Sequence, residues 1–141
     1  MGIISRKVLV TPSVFFAFID RNHPRHQEAD AFFRYFAQEK FHVSVASFSI
    51  VKTYEQIKKH MSYAIAKDFL RIVYTGNVEI TYPDEALTKA ALRLVFSNSG
   101  QDLGIEHALI NVIADRKQIS QVASFEYQNF YFGIQSFSLP Y

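Results

Sequence analysis

Basic and imidazole side chains that could contact phosphate groups lie close together at two places in the chain. One is the run Lys58-Lys59-His60, and the other is the segment 21–26, which contains two arginines and two histidines. A solvated helix face explains such charges more often than a nucleic-acid contact does, and Arg21 and Arg25 are the candidates for such a contact in segment 21–26. The formal net charge of +2 and the pI of about 8.8 are below the values typical of a dedicated nucleic-acid-binding domain. Net charge alone therefore does not decide whether the chain binds nucleic acid.

The composition limits the kinds of site that the chain can hold. Among its 141 residues there is no cysteine, which excludes a disulfide framework and a thiolate metal site. A hydrophobic content of 49% and a charged content of 20% are typical of a globular domain. The longest apolar stretch, 14–19, is far too short to cross a membrane, and the first residues lack the pattern of a signal peptide. We expect a single domain over 1–141, located in the cytoplasm.

Short apolar runs alternate with segments of helical periodicity along the chain. Strands are predicted at 7–10, 41–46, 78–81, 119–124 and 134–137, and helices at 14–20, 24–40, 47–60, 62–74, 83–98 and 104–117, with a turn or short helix at 125–130. Thr11 and Ser47 are predicted to cap the helices that they precede. This alternation predicts an α/β fold, a three-layer α/β/α sandwich with a mostly parallel sheet. The continuously apolar first strand is expected at its centre.

Aromatic residues are unusually frequent, with 14 Phe and 8 Tyr. Phe32, Phe33 and Phe36 are spaced along one side of a predicted helix, and packing into the chain's own core is favoured over contact with a partner. Phe36, Phe41 and Tyr54 together nevertheless exceed the expected demand of the core. Since large exposed apolar patches usually mark an interface, a homodimer is predicted.

The segments that follow the strands at Thr11, Ala46 and Ser124 are where an open parallel sheet places its ligand site. One of these regions, VLVTPSVFFAFIDRNHPRHQEA at 8–29, resembles the opening of a PIN domain. In that family a hydrophobic strand leads to an Asp, a small residue and Ser, a short helix, a second Asp and Pro-x-His. This chain has the later features of the motif, but the first catalytic Asp of the family falls on Thr11.

Two further segments resemble the same family in the same order. In VSVASFSIVKTYEQI, residues 43–57, the position of the family's Glu is occupied by Lys52. In GIEHALINVIADRKQISQVASFEYQNF, residues 104–130, the two remaining acids fall on His107 and Glu126. The resemblance therefore spans almost the whole chain.

The resemblance implies a metal-dependent ribonuclease, often the toxin of a toxin–antitoxin pair, whose clustered carboxylates bind magnesium or manganese. Magnesium needs hard oxygen ligands in near-octahedral geometry. Of the four family positions Thr11, Lys52, His107 and Glu126, only Glu126 keeps a carboxylate, and a lysine at the centre would repel a divalent ion. We therefore expect no metal cofactor. The Lys52 ammonium is expected to take the place of the metal and to pair with Glu126 or another nearby acid.

Asp102 and Glu106 could supply substitute carboxylates. A shifted register would put Glu106 at the family's Asp, but neighbouring helical residues point about 100° apart, so Glu106 and His107 cannot both face the cleft. His107 is preferred because Ala108-Leu109-Ile110 then matches without a shift.

Three functional hypotheses remain open. The first is a non-catalytic PIN-like protein that binds RNA, with Lys52 as one contact, or a protein. The second is a surviving ribonuclease that uses Asp102, Glu106 and Glu126, with magnesium or manganese. The third is a toxin relic whose cleft is occupied by an antitoxin-like partner peptide.

Overall fold

A computed structural model describes residues 6–98, 100 and 102–140. Within these ranges the elements follow one another as β1 (Lys7–Val10), α1 (Pro12–Ile19), α2 (His26–Gln38), β2 (His42–Ala46), α3 (Ser47–His60), α4 (Tyr63–Thr75), β3 (Glu79–Thr81), α5 (Glu85–Ser97), α6 (Ile105–Arg116), β4 (Gln121–Ala123) and β5 (Gln135–Ser136). In this part of the chain no helix combines the length and the apolar character needed to cross a bilayer.

The five strands form one parallel sheet in the order β3-β2-β1-β4-β5. Its central strand, β1, is the most apolar, and Val8, Leu9 and Val10 are fully buried. Because successive side chains of a strand point to opposite faces, Val8 and Val10 pack with α1 to α4, whereas Leu9 packs with α5 and α6. The predicted three-layer α/β/α sandwich is confirmed, and so is the central position of the first strand.

The aromatic residues mostly fill the layer between the sheet and helices α1 to α4. Phe36 is 2% exposed, and its ring centroid lies 4.8 Å from that of Phe137 and 5.4 Å from that of Phe41. Phe32 is also buried, and Phe33 packs against Phe18 at 4.7 Å. Since Phe36 and Phe41 belong to the core, the homodimer prediction loses the argument that these residues gave it.

Two predicted helix caps differ from the structure. Thr11 does occupy the position before α1, but its side chain makes no cap hydrogen bond, because its hydroxyl is directed to the Ala123 carbonyl at the end of β4 and to Glu126 beyond it. Ser47 is the first residue of α3 rather than its cap, and extended Ala46 precedes the helix.

The predicted element boundaries differ from the observed ones by at most two residues. Helix α2 begins at His26 instead of Pro24, since residues 20–25 form a turn in which Asp20 Oδ1 accepts from the Asn22 amide at 3.0 Å. Of the two alternatives predicted for segment 125–130, a turn or a short helix, the structure has a bend and no helix. The path of this segment is set by side-chain hydrogen bonds, including one from the Phe125 amide to Ser13 Oγ at 2.8 Å.

Candidate functional site

The carboxyl edge of the sheet brings together residues that are more than a hundred positions apart in sequence. Strands β1 and β4 pair in parallel with Val10 opposite Ala123, and the Thr11 amide continues the ladder to the Ala123 carbonyl at 3.1 Å. Thr11 is therefore fully buried at the end of β1. Because both strands end at this edge, the segment after β4 places Glu126 directly beside Thr11.

Glu126 is held by hydrogen bonds from three side-chain hydroxyls and one backbone amide. Its Oε1 accepts from Thr11 Oγ1, from Ser13 Oγ and from Ser124 Oγ, the last at 2.9 Å. Its Oε2 accepts from the Ser13 amide at 3.2 Å. We call these four residues the Glu126 cluster. Both carboxylate oxygens thus have donors from the protein itself.

Backbone amides fix the direction of two hydroxyls in the Glu126 cluster. Ser13 Oγ accepts from the Phe125 amide at 2.8 Å, and Ser124 Oγ accepts from the Tyr127 amide at 3.0 Å. Each hydroxyl has a single proton, so both protons are free to point at the Glu126 carboxylate. The cluster is therefore arranged to stabilise a charged carboxylate without help from a cation.

Lys52 extends from α3 toward the start of α6. Its Nζ lies 3.0 Å from Glu106 Oε2, and the Tyr127 hydroxyl donates to the same oxygen at 3.3 Å. The acid that pairs with Lys52 is thus Glu106 and not Glu126. Both side chains of the pair are 41% exposed, so solvent screening limits its contribution to about 1 kcal/mol or less.

His107 packs against the ring of Tyr127. The two rings stack with centroids 4.3 Å apart and an interplanar angle of 3°, and His107 Nε2 lies 2.6 Å from the Asn129 carbonyl oxygen. Burial lowers the pKa of His107, an effect that the hydrogen bond to Asn129 and the charge of Glu126 oppose. Burial, followed by the charges of Glu106 and Glu126, raises the pKa of Tyr127. At neutral pH His107 is therefore an uncharged ring committed to a backbone carbonyl.

A cavity of about 360 Å³ opens beside Glu126, between α1, the turn after it and α3. Its walls are formed by Ser13, Phe16, His23, Lys52, Gln56, His60, Phe125 and Glu126. The rings of His23 and His60 both meet the Phe16 ring edge-on at 6.0 Å. The Arg25 guanidinium lies 3.8 Å above the Phe125 ring and also pairs with Glu28 at 2.6 Å.

The residues predicted from the sequence do not all meet at this cavity. Lys52 and Glu126 line one cavity, with Thr11 buried behind Glu126. His107 does not line this cavity, and the side chain that meets Lys52 is Glu106, the residue of the shifted register.

The weaker candidates lie at the margins. Asp102 is exposed in the loop before α6, and Arg21 is exposed in the turn after α1. Sequence reasoning did not identify Ser13, Ser124 and Tyr127 as contributors. Ser13 and Ser124 were visible in the motif segments, but nothing in a sequence shows which hydroxyl reaches a carboxylate across two strands.

The donor set around the cleft does not suit a divalent metal ion. Within the described ranges, no group of three His, Asp or Glu side chains is arranged so that it could hold a metal. The Glu126 oxygens already accept hydrogen bonds, and the ammonium of Lys52 stands in the cavity wall. Magnesium would need several free oxygen ligands at this position.

No family model matches the chain, and no curated protein matches it. Among solved structures, the chain is similar to VapC20 from Mycobacterium tuberculosis, a Sarcin-Ricin loop cleaving toxin, with 16% identity, coverage of 84% of this chain and 88% of that chain, and a TM-score of 0.73. It is also similar to VapBC2 from Rickettsia felis, solved bound to a DNA fragment from its promoter, with 15% identity, coverage of 87% and 88%, and a TM-score of 0.64. At these identities the likeness establishes the fold.

Proposed function

We propose that this chain, whose fold is that of the VapC-type PIN-domain proteins, is an RNA-binding protein without metal-dependent nuclease activity. The observation that carries the proposal is the Lys52 ammonium, which lies 3.0 Å from Glu106 in a cleft where the fold family implies a metal. A fixed positive charge in the wall disfavours a divalent cation. The same ammonium offsets the negative charge of Glu106, so no divalent cation is needed to offset it.

The remaining negative charge of the cleft is that of Glu126. Clustered carboxylates normally need a cation or protonation to coexist. Here Glu126 is instead surrounded by the hydroxyls of Thr11, Ser13 and Ser124, and hydrogen bonds to the charged form of a carboxylate stabilise that form. The cleft is complete without a metal ion.

The cavity walls favour a single-stranded nucleic acid as the ligand. Lys52, His23 and His60 can donate to phosphate oxygens, and the Phe16 ring in the cavity wall offers a surface against which a base can stack. With Glu126 in the same cavity and a net charge of only +2, stacking should supply more of the affinity than charge does. Binding should therefore be weak and only moderately dependent on salt.

A protein partner is the second candidate function, and an apolar groove favours it. The groove has a volume of about 290 Å³ and is lined by Phe15, Phe18, Ile19, Phe33, Ile65, Asp68, Phe69, Ile72, Val73 and Val78. Such a groove suits an amphipathic helix, and the similarity to VapBC2 supports an antitoxin-like peptide as the occupant. Co-purification with a co-expressed partner tests this candidate. Replacing Ile72, which is 68% exposed, with Glu should abolish the complex and leave RNA binding intact.

Incubation of the purified protein with labelled single-stranded RNA is expected to give binding without cleavage. The bound fraction should be the same with magnesium, with manganese and with a chelator, because no step depends on a metal. Lys52→Ala should weaken binding by about fivefold, the effect of losing one partly exposed charged contact. Filter binding and gel analysis of the same samples measure both quantities.

Lys58→Ala is the matched control for the RNA experiment, since Lys58 is exposed on the same helix and does not line the cavity. It should change RNA affinity by less than twofold, within the range of a surface substitution. Magnesium-dependent cleavage that a chelator abolishes would refute the proposal and support the alternative, a metal-dependent ribonuclease using Asp102, Glu106 and Glu126.

A further inference from the structure

The amino-terminal edge of the sheet, opposite the cleft, carries a second group of polar side chains. The pairing register places Lys7 opposite His42 and Ser44 opposite Glu79. Because residues two apart on a strand share a face and paired residues share it too, all four side chains lie on the side of the sheet covered by α6. Lys117, at the end of α6, completes the group.

Glu79 fixes two of these side chains in place. Its Oε1 lies 2.8 Å from Lys117 Nζ, and its Oε2 lies 2.5 Å from His42 Nε2. The hydrogen bond from Lys117, and after it the one from His42, hold the pKa of Glu79 below its ordinary value of 4.5. Both carboxylate oxygens are thus occupied, and the two donors are held at fixed positions around the cavity.

The cavity between these residues has a volume of about 190 Å³ and is lined by Lys7, His42, Ser44, Glu79, Lys117 and Ile119. Two of its polar groups lack partners. In the described part of the chain, the Lys7 ammonium has no hydrogen bond or ion pair. Ser44 is 1% exposed, and its Oγ has no hydrogen-bond partner. A buried hydroxyl without a partner is destabilising, so a group that accepts its proton would be stabilising.

The charge of the cavity selects the class of ligand. With His42 uncharged, Lys7 and Lys117 outweigh Glu79 by one positive charge. The carboxyl end of α6 contributes a negative charge of only about half a unit, so the cavity stays positive. A cation would be repelled, and a neutral ligand would leave Lys7 without a counter-charge.

We propose that this amino-edge cavity is a binding site for a phosphate-type oxyanion, contacted by Lys7, Lys117 and the Ser44 hydroxyl. Three donors of this kind match the several acceptor oxygens of a phosphate group. The volume is several times the share of about 30 Å³ that one water molecule takes in the liquid, so the group fits. The anion is either free inorganic phosphate or a phosphodiester of nucleic acid. The site lies at the other edge of the sheet and does not depend on the function proposed for the cleft.

Titration of the isotope-labelled protein with sodium phosphate, followed by amide chemical shifts, tests the site. Saturable shifts are expected at Lys7, Ser44 and Lys117, while sodium chloride of equal ionic strength leaves them unchanged. A short single-stranded RNA that shifts the same amides at lower concentration identifies the phosphodiester as the source. Shifts with inorganic phosphate alone identify the free anion.

Two variants and one control make the experiment decisive. Lys7→Gln should weaken phosphate binding by about tenfold, equivalent to 1.4 kcal/mol. Ser44→Ala should also weaken it, without loss of stability in phosphate-free buffer, because the hydroxyl has no partner to lose. Lys58→Gln removes an exposed charge that does not line the cavity and should have no effect. Equal shifts with phosphate and chloride, or unchanged phosphate affinity in both variants, would overturn the proposal.

Discussion

Replacing Glu126 with alanine is expected to lower the free energy of unfolding by roughly 1–3 kcal/mol in the absence of metal. The reason is the Glu126 cluster. Thr11 is fully buried, and without the carboxylate its hydroxyl is left with the longer hydrogen bond to the Ala123 carbonyl at 3.3 Å. Ser13 and Ser124 lose the same acceptor, at lower cost because they are only partly buried.

The direction of this change in unfolding free energy distinguishes a cleft without a metal from a working metal site. In a working metal site the metal-free protein holds several carboxylates close together, so removing one relieves repulsion and stabilises the fold. In the cleft proposed here the same change removes hydrogen bonds and destabilises it. Urea denaturation in the presence of a chelator measures the difference.

Glu55 provides the control for this measurement, because it is an exposed glutamate on α3 with no described contact at the cleft. Glu55→Ala should change stability by less than about 0.5 kcal/mol. Glu126→Gln should fall between Glu126→Ala and the unmodified protein, since an amide oxygen still accepts but the charge is lost. If the Glu126→Ala protein is at least as stable as the unmodified chain, the hydrogen bonds between the hydroxyls and the carboxylate do not stabilise the fold.

The fold was predictable because its signals are local and agree with one another. The apolar run of β1 indicated a strand buried on both faces, and alternating helices required parallel pairing around it. The aromatic stripe of α2 was correctly assigned to the core. The apparent excess at Phe36 and Phe41 was misjudged, because a residue list does not show that Phe137, near the end of the chain, packs onto the same rings.

The site was predictable in part, for a physical reason. Topology alone brings the residues after β1 and β4 together, so Thr11 and Glu126 could be paired from strand order. The choice between Glu106 and His107 could not be made that way, because helix α6 turns by about 100° per residue and either side chain could face the cleft. The choice follows from a tertiary contact, the stacking of His107 on Tyr127. The Thr11 side chain does not cap α1 for a related reason, since its hydroxyl finds a distant acceptor in Glu126.

Introducing the acids of PIN-domain proteins at the positions that resemble theirs is expected to make the stability of the protein depend on magnesium. A variant with Thr11→Asp, Lys52→Glu and His107→Asp adds negative charge beside Glu126 and removes the Lys52 ammonium. A carboxylate at the fully buried position of Thr11 is costly without a cation. At a magnesium concentration a hundredfold above Kd, binding should stabilise the variant by about 2.7 kcal/mol. For a domain of this size that corresponds to a rise in Tm of roughly 10 °C.

The matched control is the triple variant Thr11→Asn, Lys52→Gln and His107→Asn, which has similar side-chain shapes without the added charges. Its Tm should not respond to magnesium, and neither should that of the unmodified protein. Calcium and sodium at equal ionic strength separate specific binding from screening. A folded acidic variant that shows no magnesium dependence would mean that these positions do not correspond to the metal ligands of the family.

A double variant, Thr11→Asp with Lys52→Glu, tests which residue of α6 serves the cleft. Since Glu106 already faces the position of Lys52 at 3.0 Å, the double variant should bind magnesium nearly as well as the triple variant. His107 is held by Tyr127 and the Asn129 carbonyl, so changing it should add little to metal affinity and should cost packing. Calorimetry on both variants measures this directly. Metal affinity that appears only when His107 is also replaced would show that His107, and not Glu106, occupies the family's acidic position.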